Sequence, residues 1–410
     1  MIRSHLLPSR AWRLAAPLLV VGFTLAFYGR TIQFGFLGWD DDPLLTDNPL
    51  TAPFSWANLV RIFIPGSVPQ EQLYIPLTYL SHLLENLPFG VNAHVTHGVN
   101  VALHAANGVL VYVLFAALAR PLLSDRWLTG TVVAQQQAND DHAPTDERAS
   151  FVQGLLPFVG AVVFVTHPLQ VEAVAWAMGR KDLLSTAFAL LALLAWVDWV
   201  RRQQRSRLVA ASLLALAAAM AKPSMIVLPA LFLLIDLYEQ RPRQRRMLLD
   251  KIPVATAMAV VLGINLTLTR AAAAAPPLGY RLACIPWMLR GWGIRFFHLQ
   301  PPTQFHSWPE ASAGTLLLQG LPFLVGYAIL FIGLLRLRRP DWWFGMAFAM
   351  IAFLPAIGTV IDGRKFVTAD RYGYFPLVGL FFLTAMIGLV LRGRARSVFI
   401  FALVVWSGLG

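Results

Sequence analysis

The sequence predicts an all-α polytopic membrane protein of about eleven spans, on three observations: its composition, the recurrence of bilayer-length apolar stretches, and the side on which its basic residues fall. Hydrophobic residues make up 57% of the 410 and charged residues 13%, with a mean hydropathy of +0.60. So little polar surface cannot cover a soluble chain of this size, and the bilayer must be its solvent. A hydrocarbon core about 30 Å thick takes about 20 apolar residues per helix. Such stretches recur from residue 12 to the last residue and leave no room for a separate soluble domain.

Spans are expected near 12–30, 96–118, 152–168, 182–200, 208–221, 224–238, 252–270, 315–335, 342–358, 373–391 and 397–410. The first follows Arg3, Arg10 and Arg13 but has no small-x-small cleavage site after it, and so reads as an uncleaved anchor. With the N-terminus inside, the inner segments hold 21 of the 33 Lys and Arg residues, while the outer segments hold 12 against 11 of the 21 acidic ones. The positive-inside rule then fixes the orientation, and the net charge of +12 belongs to a membrane rather than to nucleic acid. Two outer segments, 31–95 and 271–314, are long and mix Pro, Trp, Tyr and His, as folded interfacial structure does. The inner segment 120–151, with Gln135, Gln136, Gln137, Asp140 and Asp141, is polar and aperiodic and reads as a flexible insertion. A single cysteine, Cys284, excludes an internal disulfide and a cysteine metal cluster. No internal repeat relates two halves, which argues against an inverted-repeat transporter.

Directly after the first span, Trp39-Asp40-Asp41-Asp42-Pro43 and then Asp47-Asn48-Pro49 bring four carboxylates to the outer surface. Crowded like charges raise one another's pKa, which suits a general base or a metal site; a solvated turn would use the same residue types. A second cluster follows the third span: His167, Pro168, Glu172, Trp176, Arg180, Lys181 and Asp182. Arg180 and Lys181 stand where the chain re-enters the bilayer, and a cationic pair there needs an anion. A lipid phosphate or pyrophosphate meets that need, and so would bridges to Glu172 and Asp182.

In the second span His97, Asn100, His104 and Asn107 form one polar stripe, which interhelical hydrogen bonds explain; His97, nearest the outer side, is the one site candidate among them. Lys222-Pro223, Arg364, Lys365 and Asp370-Arg371-Tyr372 add charge at the same outer level, while the middles of the spans hold almost none. That distribution suits a reaction at the interface, where a lipid-anchored donor meets an acceptor from outside.

These residues resemble those of polytopic glycosyltransferases of the GT-C fold, and most of all the membrane half of the transmembrane and tetratricopeptide repeat (TMTC) family of O-mannosyltransferases. The likeness rests on Trp39-Asp40-Asp41 with Asp47-Asn48-Pro49, on Pro76-Leu77-Thr78, and on His97 with Asn100 and His104. More specific are the run from His167-Pro168-Leu169 through Glu172 to Trp176, then Gly179-Arg180-Lys181-Asp182, Ala221-Lys222-Pro223 and Ala369-Asp370-Arg371-Tyr372. The resemblance implies one GT-C transmembrane domain over residues 1–410 that moves a single sugar, mannose by analogy, from a polyprenyl or dolichyl phosphate to a hydroxyl, with inversion.

It makes Asp40 and Asp41 the catalytic pair and Glu172 a second acid. Arg180, Lys181, Arg371 and Lys222 become the donor-phosphate ligands, and His97, His167, Asp182 and Tyr372 further substrate contacts. Relatives work with or without a divalent cation, so magnesium or manganese on Asp40, Asp41 and Glu172 stays open. Tetratricopeptide repeats are absent from these 410 residues, which leaves the acceptor open between a protein and a lipid or envelope polysaccharide; outside enzymes, the rivals are a lipid-linked-sugar flippase or a scaffold. Four lysines beside 29 arginines point to a GC-rich genome and hence to a bacterial inner membrane with a periplasmic site, the endoplasmic reticulum being the eukaryotic equivalent.

Overall fold

The computed structural model describes residues 10–68, 73–119, 151–242, 245–268, 275–298, 300–337, 339–363, 366–391 and 393–408. The insertion expected at 120–151 lies outside them except for Phe151, as do Arg364 and Lys365. Sixteen α-helices follow one another in the described residues: α1 (Arg10–Tyr28), α2 (Trp56–Ile62), α3 (Pro76–Phe89), α4 (Ala93–Ala119), α5 (Leu156–Thr166), α6 (Val171–Ala175), α7 (Arg180–Arg202), α8 (Arg205–Ala221), α9 (Leu228–Tyr238), α10 (Arg245–Leu249), α11 (Ile252–Leu268), α12 (Leu278–Phe296), α13 (Ala313–Arg336), α14 (Pro340–Asp362), α15 (Leu377–Ile387) and α16 (Gly393–Gly408). The only β pairing among the described residues is an isolated antiparallel bridge between His306 and Thr368.

The chain is an all-α polytopic membrane protein. Six helical runs are long and apolar enough to cross a membrane, and seven if the bent pair Leu156–Thr166 and Pro168–Ala175 is one span. Helices occupy all eleven expected segments, but several fall short of spanning length by themselves. The 11 residues of α15 cover only about 17 Å at 1.5 Å per residue. The segment 271–314 contains α12, whose Arg281, Arg290 and Arg295 interrupt the hydropathy that would have marked it as a helix of the bundle.

Three features position the site. The polar stripe of α4 faces inward and ties the centre together: Asn100 donates to the Trp176 carbonyl at 2.9 Å, Asn107 donates to the Leu183 carbonyl at 2.9 Å, and His104 lies 2.7 Å from the Tyr374 hydroxyl. Helices α14 and α15 cross at Gly345 and Gly379, where a Cβ on either would come within 2.6 Å of the other's carbonyl oxygen. Small residues at such a crossing let backbones approach in the absence of a hydrophobic drive between helices, and this one seats the connection carrying Asp370, Arg371 and Tyr372.

The third feature is a cap formed by the segment between α1 and α4. Leu45, Leu50, Ile62, Ile75, Tyr79 and Leu83 build a small core of their own, and Trp176, Ala177 and Met178 of the α6–α7 turn complete it. Cap and bundle therefore share that turn. Thr78 donating to the Ala221 carbonyl (2.9 Å) and the Tyr74 N–H donating to Asn265 (2.8 Å) fix the cap at two further points.

Candidate functional site

The site is organised by the turn that starts α7. Past α5 the chain bends by 57° at His167-Pro168, forms the short α6, and then passes so close beneath it that a Cβ on Gly179 would lie 2.1 Å from the Ala173 carbonyl oxygen. A glycine is required there. The first turn of α7 consequently carries Arg180, Lys181 and Asp182 in succession, each turned to a different partner, with the acid at the positive end of the helix dipole.

The two neighbouring aspartates face different surroundings. Asp41 is fully buried, and its two oxygens accept the N–H of Leu37 (2.9 Å) and of Met178 (3.2 Å), so it pins the loop after α1 to the α6–α7 turn. Burial pushes its carboxyl up, against the pull of those two N–H groups and of the His97 and Lys181 charges. The side chain of Asp40 is half exposed and lies 3.7 Å from the Lys181 ammonium. Asp40 is thus the accessible carboxylate of the pair, and Asp41 fixes the loop that carries it.

Three cations converge behind Asp40, spaced by aromatic rings. The Lys181 ammonium and the Arg371 guanidinium lie 4.6 and 4.7 Å from the Trp176 ring centre. Lys222 and Arg371 both stand over Tyr372, at 5.3 and 5.4 Å. Arg371 is paired with Glu172, which also accepts the Arg371 N–H at 2.7 Å, and Lys222 is paired with Asp182. Lys181 differs: it is buried, Asp40 at 3.7 Å is beyond hydrogen-bond reach, and it makes no hydrogen bond among the described residues. An ammonium on so enclosed a side chain, faced by one carboxylate beyond hydrogen-bond distance, keeps its donors for a second anion. Arg371 Nε and the second oxygen of Asp182 are buried without a hydrogen-bond partner.

Other expected site residues lie apart from this group. The guanidinium of Arg180, only 1% exposed, is enclosed by Glu85 (2.7 Å), Asn100 (2.5 Å) and the Thr96 carbonyl (3.0 Å), so its donors are already committed. His97 faces the Gly35 carbonyl at 3.2 Å and leaves Nδ1 without a partner. His167 lies in a separate aromatic nest of Phe296, Phe381 and Trp406, with His298 at 3.3 Å. Asp370 turns to Arg295 (3.0 Å), His306 (3.1 Å) and the Thr303 N–H (2.5 Å), bracing the loop beside Arg371.

The acids do not fit a divalent cation. Asp41 spends both oxygens on backbone N–H groups and Glu172 spends both on Arg371, which leaves Asp40 alone. Among the described residues no three His, Cys, Asp or Glu side chains are gathered as ligands.

Sequence reasoning passed over Glu85, the carboxylate that neutralises Arg180. It hydrogen-bonds Thr96 at 2.5 Å and lies 3.8 Å from His82, and the signal available was the three-residue step from His82 to Glu85 within α3. Also unforeseen was a cavity of about 660 Å³ bordered by Trp176 and lined by Phe34, Phe36, Leu37, Glu172 and Asp370 among others. Glu172 thus borders a largely apolar space.

No protein-family profile matches the chain. It is similar to the curated protein O-mannosyl-transferase TMTC2 of Homo sapiens, 27% identical over 186 residues, which is 44% of this chain and 18% of that protein. To TMTC1 of Homo sapiens it is 28% identical over 188 residues, 44% of this chain and 18% of the relative. To Tmtc3 of Drosophila melanogaster it is 30% identical over 196 residues, 44% and 19% respectively. The matched part is thus about a fifth of the length of these curated relatives.

Proposed function

We propose that this chain is a membrane glycosyltransferase of the GT-C type that transfers one hexose, mannose by likeness to the named O-mannosyl-transferases, from a polyprenyl-phosphate donor to a hydroxyl on a protein. The observation that carries the reading is the enclosed Lys181 side chain, 7% exposed and without a hydrogen bond among the described residues, beside the half-exposed carboxylate of Asp40. A phosphoryl oxygen would satisfy the first and an acceptor hydroxyl the second.

In the reaction the acceptor oxygen attacks the anomeric carbon as its proton passes to Asp40. The new glycosidic C–O bond forms as the bond from that carbon to the phosphate oxygen breaks, with inversion. The charge left on the departing lipid phosphate is stabilised by Lys181, with Arg371 and Lys222 behind it. Glu172 and Asp182 hold those two cations until the donor arrives. Asp41 and Arg180 act as positioning residues, the first on the catalytic loop and the second between cap and bundle. The excess of Lys and Arg in the segments away from this end supports an outward-facing site, periplasmic in a bacterium.

The test is transfer from a polyprenyl-phosphate mannose by purified protein in detergent. Asp40→Asn is expected to abolish transfer while donor binding persists, and Lys181→Met to raise the donor KM far more than the acceptor KM. Full activity in Asp40→Asn would end the base assignment; equal effects of Lys181→Met on both substrates would end the phosphate assignment.

A further inference from the structure

Trp39 precedes the accessible aspartate and combines exposure with rigidity. It is 57% exposed, yet its indole lies flat on Phe305, 4.7 Å between ring centres and 5° from parallel. Phe305 is itself braced, by Phe366 at 4.7 Å and by the Arg371 guanidinium at 5.1 Å. One face of the indole is therefore covered and fixed. Among the described residues no ring or cation stands against the other. By contrast Trp56, 75% exposed, has only an edge contact with Phe54, at 72° between the rings.

An aromatic plane held in advance loses little freedom when something lies on it. A pyranose offers a matching surface: one face of its ring is a sheet of C–H groups, with the hydroxyls directed to the rim. Such a flat apolar contact suits an aromatic side chain that keeps one face open to water. The location fits too, since the next side chain is Asp40, which faces Lys181 at 3.7 Å, and the stack behind the indole ends on Arg371.

We propose that the open face of Trp39 is the platform for the hexose being transferred, so that its anomeric carbon comes to lie between Asp40 and the phosphate held at Lys181. This rests on the glycosyltransferase reading and adds to it the subsite that senses the sugar.

The test compares binding of two lipids to the purified full chain in detergent: a polyprenyl-phosphate mannose and the same polyprenyl phosphate without sugar. Trp39→Ala is expected to weaken binding of the first about tenfold and leave the second unchanged, while Trp39→Phe keeps most of the affinity for both. Equal weakening of the two lipids would make Trp39 a headgroup-level anchor, and unchanged affinity for both would make it a bystander; either result overturns the platform and leaves the transferase reading standing. If the wild-type chain binds neither lipid, the donor assignment fails and the platform falls with it.

Discussion

Replacing Glu85 by Gln isolates the ion pair between the cap and the bundle at Arg180. Arg180 is 1% exposed and the Glu85 side chain 4%, and the two meet at 2.7 Å. Neutralising one member of such a buried pair leaves the other charge uncompensated, at a cost of about 3–5 kcal/mol. The glutamine oxygen still accepts one hydrogen bond, which returns about 1 kcal/mol and leaves about 2–4. Titration gives a second route to the same magnitude. Burial pushes the Glu85 carboxyl up, but the neighbouring His82, the charge of Arg180 and the hydrogen bond from Thr96 outweigh it and hold it at about 2, against an ordinary 4.5. At 1.36 kcal/mol per unit that is about 3 kcal/mol. A carboxyl depressed on folding contributes fully above the unfolded value of 4.5 and loses its contribution as pH falls toward 2. Glu85→Gln should therefore unfold at a clearly lower temperature than wild type at pH 7, and the gap should close as pH drops below 4.5. Thermal unfolding in detergent, followed by intrinsic fluorescence over a pH series, measures both. A variant as stable as wild type at pH 7, or a gap that does not narrow in acid, would refute the reasoning.

Gly179→Ala should destabilise by about 1–3 kcal/mol in the same unfolding assay, since the added Cβ meets backbone and not a side chain that could move. The two aspartates should separate on stability alone: Asp41→Asn sets an amide N–H against a backbone N–H and costs about 1–3 kcal/mol, whereas Asp40→Asn stays within about 0.5. Asp182→Asn leaves the buried Lys222 without its counter-charge and should lower the unfolding temperature, and adding Lys222→Met should restore most of the loss, which a double-mutant cycle would read as coupling. Gly379→Leu should disrupt the α14–α15 crossing and cost transfer activity together with stability, measurable in one preparation.

The membrane class and the helical segments were legible because length and hydropathy are set by the bilayer. The charged level of the site was legible as well, because Asp40, Lys181, Lys222 and Arg371 all sit where apolar runs end. Direction was not. Adjacent aspartates read alike in a sequence, and only the fold turns Asp41 inward to two N–H groups and leaves Asp40 open. Arg180 and Lys181 pose the same difficulty, since the carboxylate that takes Arg180 lies 95 residues away in the cap. Asp236 stayed hidden for a different reason. It sits within the apolar run of α9, where a hydropathy window averages it away, yet it is buried, accepts from the Trp196 indole at 2.9 Å and pairs with Lys251 and Arg241. Helix α12 escaped because its arginines carry it below the hydropathy of its neighbours while it still packs against α13 and α14.

Asp41 takes one proton donor from the loop behind α1 and the other from the turn before α7, so two distant amides depend on a single carboxylate. The Leu37 and Met178 amides should then exchange their hydrogens with solvent in one shared opening, at closely similar rates, even though the backbone around each is different. Any motion that frees the loop for a substrate would pass through that same opening. Amide exchange at two positions would thus time the unlatching of the aspartate loop without a substrate present.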